Sequence, residues 1–230
     1  MTRCAWFIAR WPFSMRELGG RLRAKQFAPE EAEGFFVERV RENEVSATYV
    51  RRIVDDSPRL DPFGQPMGGT EISYQRVNFV ARSGAVGLEL LNPPRGNQRF
   101  VSKLLEVCNF NLTIAPIRVD VDEWALAISK VLNVKAHADL AQYGSIDLGN
   151  GATARILVRG NGEVRDSAKP LLTLPSTVEK VQLRLGGSWA GSSIGLSRNG
   201  AAIVRAKEKA PLVEAVRATL EQLQQGYQRT

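Results

Sequence analysis

The sequence predicts an α+β protein: two sub-domains of largely antiparallel sheet with helices packed on one face. Three observations carry that expectation. Short apolar runs rich in valine, isoleucine, threonine and aromatic residues recur along the 230 residues, separated by turn formers, which is the pattern of strands. Two of the breaks, Ser83-Gly84 and Asn199-Gly200, are short enough to close hairpins, so the flanking strands return antiparallel. Between the strands lie segments with apolar residues at helical spacing, each behind a capping or first-turn residue. Such an order lays helices on one side of antiparallel sheets.

Taken in order, residues 4–11 form a short apolar run that reads as a buried strand. Ser14 with Glu17 makes a capping box, opening a helix to about residue 27 with Leu18 and Leu22 turned inward. Pro29, Glu30 and Glu31 suit a second helix start, with Phe36, Val37 and Val40 as its apolar stripe. Residues 45–54 read as a strand by β-branched content, and residues 55–70, rich in proline, aspartate and glycine, as a long loop. Residues 72–82 and 85–91 form a hairpin around Ser83-Gly84. Asn97 then caps a helix in which Phe100, Val101, Leu104, Leu105 and Cys108 share a face.

Residues 112–119 read as a strand whose Pro116 argues for an edge or a bulge. Asp120 with Glu123 is a second capping box, before a helix over 121–131 that turns Trp124 and Ile128 inward. Residues 134–139, 153–159, 178–185 and 192–196 read as strands. Asn199-Gly200 pairs 194–196 with 202–204. Pro211 begins the last helix, with Leu212, Val213, Val216, Leu220 and Leu223 at helical spacing. A boundary between lobes is expected at 131–150, giving an N-terminal lobe over 1–131 and a C-terminal lobe over 132–230.

Composition narrows the function classes. With 43% hydrophobic and 24% charged residues, the chain can bury a sizeable core. No apolar run approaches the roughly 20 residues that span a bilayer. Arg10 and Pro12 interrupt the N-terminal apolar stretch, so no signal peptide is expected and the cytoplasm is the predicted location, without membrane insertion. Cys4 and Cys108 lie far apart among apolar neighbours and read as buried thiols, too few for a disulfide framework.

The single histidine, His137, lies in an alternating strand pattern on the same face as Asp139. That placement admits a catalytic dyad or a solvent-facing histidine. No G-x-S-x-G elbow is present, and one histidine with two separated cysteines cannot close a zinc site. Asp120, Asp122 and Glu123 are accounted for by the helix cap, whereas Asp55, Asp56 and Asp61 leave a Mg²⁺-dependent nuclease as an alternative. The glycine-rich stretch 186–195 lacks the lysine of a P-loop and is flanked by strands, so it reads as a hairpin loop with Trp189 as an exposed platform for stacking a base. No catalytic residue, cofactor or resident metal is assigned.

The remaining signal is charge. A net charge of +7 and a pI near 9.7 attract polyanions. Arg51 and Arg52 end a strand. Arg95, Arg99 and Lys103 lie at a loop and on one helix, the last two four residues apart. Arg155 and Arg159 share a strand, with Arg165 in the turn after it. Arg198 sits at a hairpin tip, and Arg205, Lys207 and Lys209 precede the last helix. Phosphates need cations at many points and no fixed spacing, so these residues predict backbone-directed nucleic-acid binding along a basic track. No helix-turn-helix, zinc-finger or RNP signature is present to read bases.

Residues 77–138 add a resemblance. The run VNFVARSGAVGLELLNPPRG is followed by NQRFVSKLLEVCNF, LTIAPIRV, DVDEWALAISKV and NVKAHAD. This order is similar to that of the RexA family of phage-exclusion proteins of bacteriophage lambda and its prophage relatives. A glycine-aliphatic strand there leads into a proline-containing loop, a helix, a strand ending near a proline and a further strand. The resemblance implies a homodimeric, non-enzymatic DNA-binding protein acting in exclusion of infecting phage beside a membrane effector partner. It implies no catalytic residue, and the positions it suggests are Arg82, Arg95, Arg99, Lys103 and Arg118.

Charge and resemblance together predict a non-enzymatic nucleic-acid-binding protein, with DNA preferred to RNA. The rival expectations are the metal-dependent nuclease and a protein-interaction subunit of a larger defence or phage assembly.

Overall fold

The computed structural model describes residues 1–56, 59–60, 62–67 and 69–227. The fold is α+β. In chain order the elements begin with β1 (Thr2–Arg10), α1 (Met15–Ala24), β2 (Glu33–Val40), β3 (Glu44–Asp55), β4 (Arg59–Leu60), β5 (Pro66–Met67), β6 (Glu71–Arg82) and β7 (Leu88–Leu91). They continue with α2 (Gln98–Val107), β8 (Thr113–Pro116), α3 (Val121–Leu132), β9 (Ala136–Gly149), β10 (Ala152–Arg159) and α4 (Val164–Ala168). The last four are β11 (Thr177–Leu185), β12 (Ser193–Ser197), β13 (Ala201–Arg205) and α5 (Ala210–Tyr227).

The chain forms two compact units, each discontinuous in sequence: Met1–Ala9, Gly84–Leu91 and Ile114–Thr230 in one, Arg10–Ser83 and Asn92–Thr113 in the other. The expected cut between residues 131 and 132 would instead pass through the end of α3. That helix belongs to the larger unit because Trp124 and Ile128 are fully buried in one core with Val181, Leu183 and Ile194. A linear cut misses this division because β1 opens the chain yet pairs with β7 and β13, near residues 90 and 202. Ser83-Gly84, expected as a hairpin turn, falls where the chain passes from one unit to the other.

In the smaller unit β2, β3 and β6 pair antiparallel, with α1 packed on β2 and β3. Ser14 caps α1 by accepting from the Glu17 N–H at 3.2 Å, and Leu18 and Leu22 are fully buried as expected. An interior of aromatic rings holds the unit: Phe35, Tyr49, Phe79 and Phe100 pack with centroids 5.0–6.1 Å apart. Such pairs add about 0.5–1.5 kcal/mol each beyond area burial. The helix expected after Pro29 is absent, and β2 stands in its place. Phe36 and Val37, read as a helical stripe, are successive strand residues, and Phe35 beside them is the buried one. Pairing with β3 overrides the helix-start signal.

In the larger unit the strand order is β10-β9-β11-β12-β13-β1-β7, with β8 paired to β1 outside this order. The ladders joining β10 to β9, β9 to β11, β11 to β12, β12 to β13, β13 to β1 and β1 to β7 are antiparallel. Asp120 caps α3 through the N–H groups of Asp122 and Glu123 at 2.9 and 3.0 Å. Side chains of α3, α4 and α5, among them Trp124, Val164, Leu212, Val216 and Leu220, join the strands in one apolar cluster. Trp6 meets Trp124 edge to face at 6.1 Å, and the Trp124 indole donates to the Val216 carbonyl at 3.1 Å. The Asn199-Gly200 turn joins β12 to β13 as expected, and Gly200 takes φ +69. A side chain there would also stand 2.8 Å from Ile117 Cβ. Glycine is therefore required on both counts.

Within the expected boundary of 131–150, residues 136–149 are strand. β9 runs to Gly149 and turns through Asn150 and Gly151, both at positive φ, into β10.

Candidate nucleic-acid interface

The α3, α4 and α5 cluster covers one face of the larger unit's sheet. The other face can be read from strand register, because residues opposite one another across a ladder share a face. One row runs His137–Arg184–Ser193–Arg205 over β9, β11, β12 and β13. The next runs Arg159–Leu140–Gln182–Gly195–Ile203–Arg3, from β10 to β1. A third runs Leu157–Gln142–Lys180–Ser197–Ala201–Ala5. Between Arg159 and Arg3 lie five strand spacings, roughly 24 Å. At roughly 3.4 Å per nucleotide step, that width matches about seven phosphates of one strand of a duplex.

Two β-bulges shape this face. Between Gln182 and Leu183 the register slips, so Asp139 on β9 is the extra residue and turns outward with Leu140. Its carboxylate accepts from Gln182 Nε2 at 2.9 Å and from Arg184 Nε, and Gln182 Oε1 accepts from Arg205 at 3.1 Å. Between Val178 and Lys180 a second slip turns Glu179 outward, where it accepts from Gln142 at 2.6 Å and pairs with Arg155 at 3.0 Å. Asp147, at the hairpin end of β9, accepts from the Gly149 N–H at 2.8 Å. Among the described residues of this face, Arg3, Arg155, Arg159, Lys180, Arg184 and Arg205 stand against these three carboxylates, of which Glu179 pairs with Arg155 and Asp139 with Arg184.

The expected basic residues divide between the units. Arg155, Arg159 and Arg205 lie on this open face, and exposed Lys207 follows β13. Arg118 and Arg198 are exposed on the segment before α3 and on the β12–β13 turn, which are joined by the Val119 N–H donating to the Arg198 carbonyl at 3.0 Å. The other six lie in the smaller unit. Arg82 pairs with Glu44 at 3.5 Å, and Lys103 with Glu106 at 3.0 Å and Glu33 at 3.7 Å, so local carboxylates neutralise both. Arg52 donates to the Pro29 carbonyl at 2.9 Å, Arg51 is partly buried on β3, and Arg95 and Arg99 are exposed.

Lys180, Arg184 and Arg3 were not among the expected residues. For the first two a signal was present: Lys180, Gln182 and Arg184 alternate with Val181, Leu183 and Leu185, the pattern of a strand with one wet face. Arg165, expected beside Arg159, instead sits in α4, paired with Glu163 at 2.7 Å and Asp122 at 3.0 Å. Hydrogen bonding to Arg165 pulls the Glu163 carboxyl down to about 2. Trp189, expected as an exposed stacking platform, packs partly buried against the apolar cluster from a short 3₁₀ turn. The turn folds Trp189 back because the Ser192 N–H donates to its carbonyl at 2.9 Å.

The other chemistry read from the sequence gains little from the geometry. His137 lies across from Arg184, and the hydrogen bonds recorded for the Asp139 carboxylate come from Gln182 and Arg184. Asp61 of the nuclease alternative lies outside the described residues, and among the described residues no group of three His, Cys, Asp or Glu is gathered to hold a metal. Cys4 and Cys108 are free and buried, and burial raises their thiols to about 12 and about 11. Among the described residues no helix is long and apolar enough to cross a membrane. No protein-family model matches the chain, and a search of curated proteins finds no match.

Proposed function

We propose that this protein binds nucleic acid through its phosphate backbone, DNA in preference to RNA, and catalyses no reaction on it. One observation carries the reading: the helix-free face of the larger unit's sheet presents six cationic side chains, of which Arg155 and Arg184 are paired with Glu179 and Asp139. The small side chains between them, Ser193, Gly195, Ser197 and Ala201, keep the face low enough for a polymer to approach. The pattern contacts phosphate and reads no bases.

The resemblance to the RexA exclusion proteins points the same way. It adds a cytoplasmic homodimer acting in exclusion of infecting phage, with a membrane effector as partner. A protein-interaction subunit remains the second reading, favoured by Val54, Ile72 and Tyr74, all exposed on β3 and β6.

The test is a mobility-shift titration with duplex and single-stranded DNA and with RNA over a range of salt. Binding whose log Kd rises with log salt at roughly one unit per neutralised phosphate is expected. Absence of binding at low salt, together with co-purification of a defined protein partner, overturns the reading in favour of the second.

A further inference from the structure

Two clefts of the larger unit share residues. One of about 670 Å³ is lined by Arg118, Lys180, Ser197, Arg198 and Asn199, among others. A second, of about 570 Å³, shares Arg118 and Arg198 and adds Ser176, Thr177 and Tyr227. Lys180 and Ser197 also belong to the third row of the open face, so the larger cleft continues that face.

The acidic groups lining both clefts are committed elsewhere. Glu179 holds Arg155 and Gln142; Asp120 accepts from two N–H groups at the start of α3; Asp122 pairs with Arg165. No ion pair to a described residue occupies Arg118, Arg198 or Lys180, three cations around one opening. Both arginines are held in place by backbone. The Arg198 N–H donates to the Glu179 carbonyl at 2.9 Å, its carbonyl accepts from Val119, and the Arg118 carbonyl accepts from Gln224 at 3.2 Å. Hydroxyl and amide groups of Ser197 and Asn199 stand beside them as neutral donors.

From this arrangement we infer that the cleft between Arg118, Arg198 and Lys180 binds a phosphate monoester, the terminal phosphate of a nucleic-acid strand lying on the open face. In that form the inference rests on the nucleic-acid reading. A free mononucleotide offers the same group. A monoester carries up to two charges, its second ionisation lying near pH 6, whereas an internal phosphodiester carries one. Two guanidiniums and an ammonium around one site match the dianion better, and charge-assisted bonds to each arginine give selectivity.

The experiment compares 5′-phosphorylated and 5′-hydroxyl forms of one short single-stranded DNA by fluorescence anisotropy, with thymidine monophosphate and inorganic phosphate titrated separately. The full chain and the Arg118→Gln/Arg198→Gln variant are both measured. Both positions are exposed, and a melting curve verifies that the variant is folded. The phosphorylated strand is expected to bind about tenfold tighter than the hydroxyl strand. The preference is expected to shrink below about pH 6, as the monoester loses its second charge, and to vanish in the variant, which binds the two strands equally. Equal affinity of the unmodified chain for both strands overturns the cleft assignment and leaves the nucleic-acid reading standing. Binding of the mononucleotide alone, lost in the variant, supports the cleft and assigns it to a free ligand while the nucleic-acid reading fails. If no phosphorylated species binds, both fall.

Discussion

At the scale of single residues, two sets of titrating groups report on the fold directly. Cys4 and Cys108 are buried, and desolvation of the thiolate, the largest cause for both, raises them to about 12 and about 11. A thiol reagent at pH 8 is therefore expected to find no fast-reacting cysteine in the native protein and two in denaturant, measured by absorbance of the released thiolate. Glu163 behaves oppositely. Its side chain accepts from Arg165 and from the Ala138 N–H, and its pKa falls from 4.5 to about 2. A depressed folded-state pKa means that the unfolded chain takes up the proton first. The contribution is thus complete above about pH 4.5 and is lost as the pH falls toward 2. Replacing Glu163 by Gln is expected to cost roughly 1–3 kcal/mol at neutral pH and to flatten the acid limb of stability against pH, read by denaturant unfolding. An unchanged acid limb would assign the loss of stability at low pH to other carboxylates.

At the scale of elements, α3 decides where the larger unit's core lies. Trp124 is fully buried, meets Trp6 and donates to Val216 and Thr219 on α5. Trp124→Ala is expected to lower stability by about 3–5 kcal/mol, measured by chemical denaturation, while Leu126→Ala on the exposed side of the same helix changes it by no more than about 0.5. Both caps of α1 and α3 and the buried faces of these helices were legible in the sequence, because a cap and a helical period are local signals. The strand β2 was not: Pro29-Glu30-Glu31 imitates a helix start, and only pairing with β3 reveals its true state. The bulges that turn Asp139 and Glu179 onto the open face were equally invisible, because a bulge is a relation between two strands. Arg155, Arg159 and Arg205, named from the sequence, share the open face with Lys180 and Arg184, whose alternation with Val181, Leu183 and Leu185 is the pattern of a strand with one wet face.

At the scale of the whole chain, the net charge of +7 attracts any polyanion, so affinity alone cannot locate the surface that binds. Position can be separated from net charge by two variants that lose the same two charges. Arg159→Gln/Arg205→Gln removes cations from the open face, where neither is held by a carboxylate and Arg205 donates only to Gln182 among the described residues. Arg95→Gln/Arg99→Gln removes exposed cations from the smaller unit, at positions that the family resemblance implies. Both variants carry +5, so long-range attraction falls equally and any difference between them is a difference of contact. If the open face carries the polymer, the first variant loses about two units of the log-log salt slope and at least tenfold in affinity at low salt. The second then keeps a slope close to that of the unmodified protein. The reverse ordering would place the phosphate contacts on the smaller unit and favour the arrangement implied by the exclusion-protein likeness. Equal small losses in both would mean that binding follows charge alone, and the ordered face of β9 to β13 would then have to serve something other than a nucleic acid.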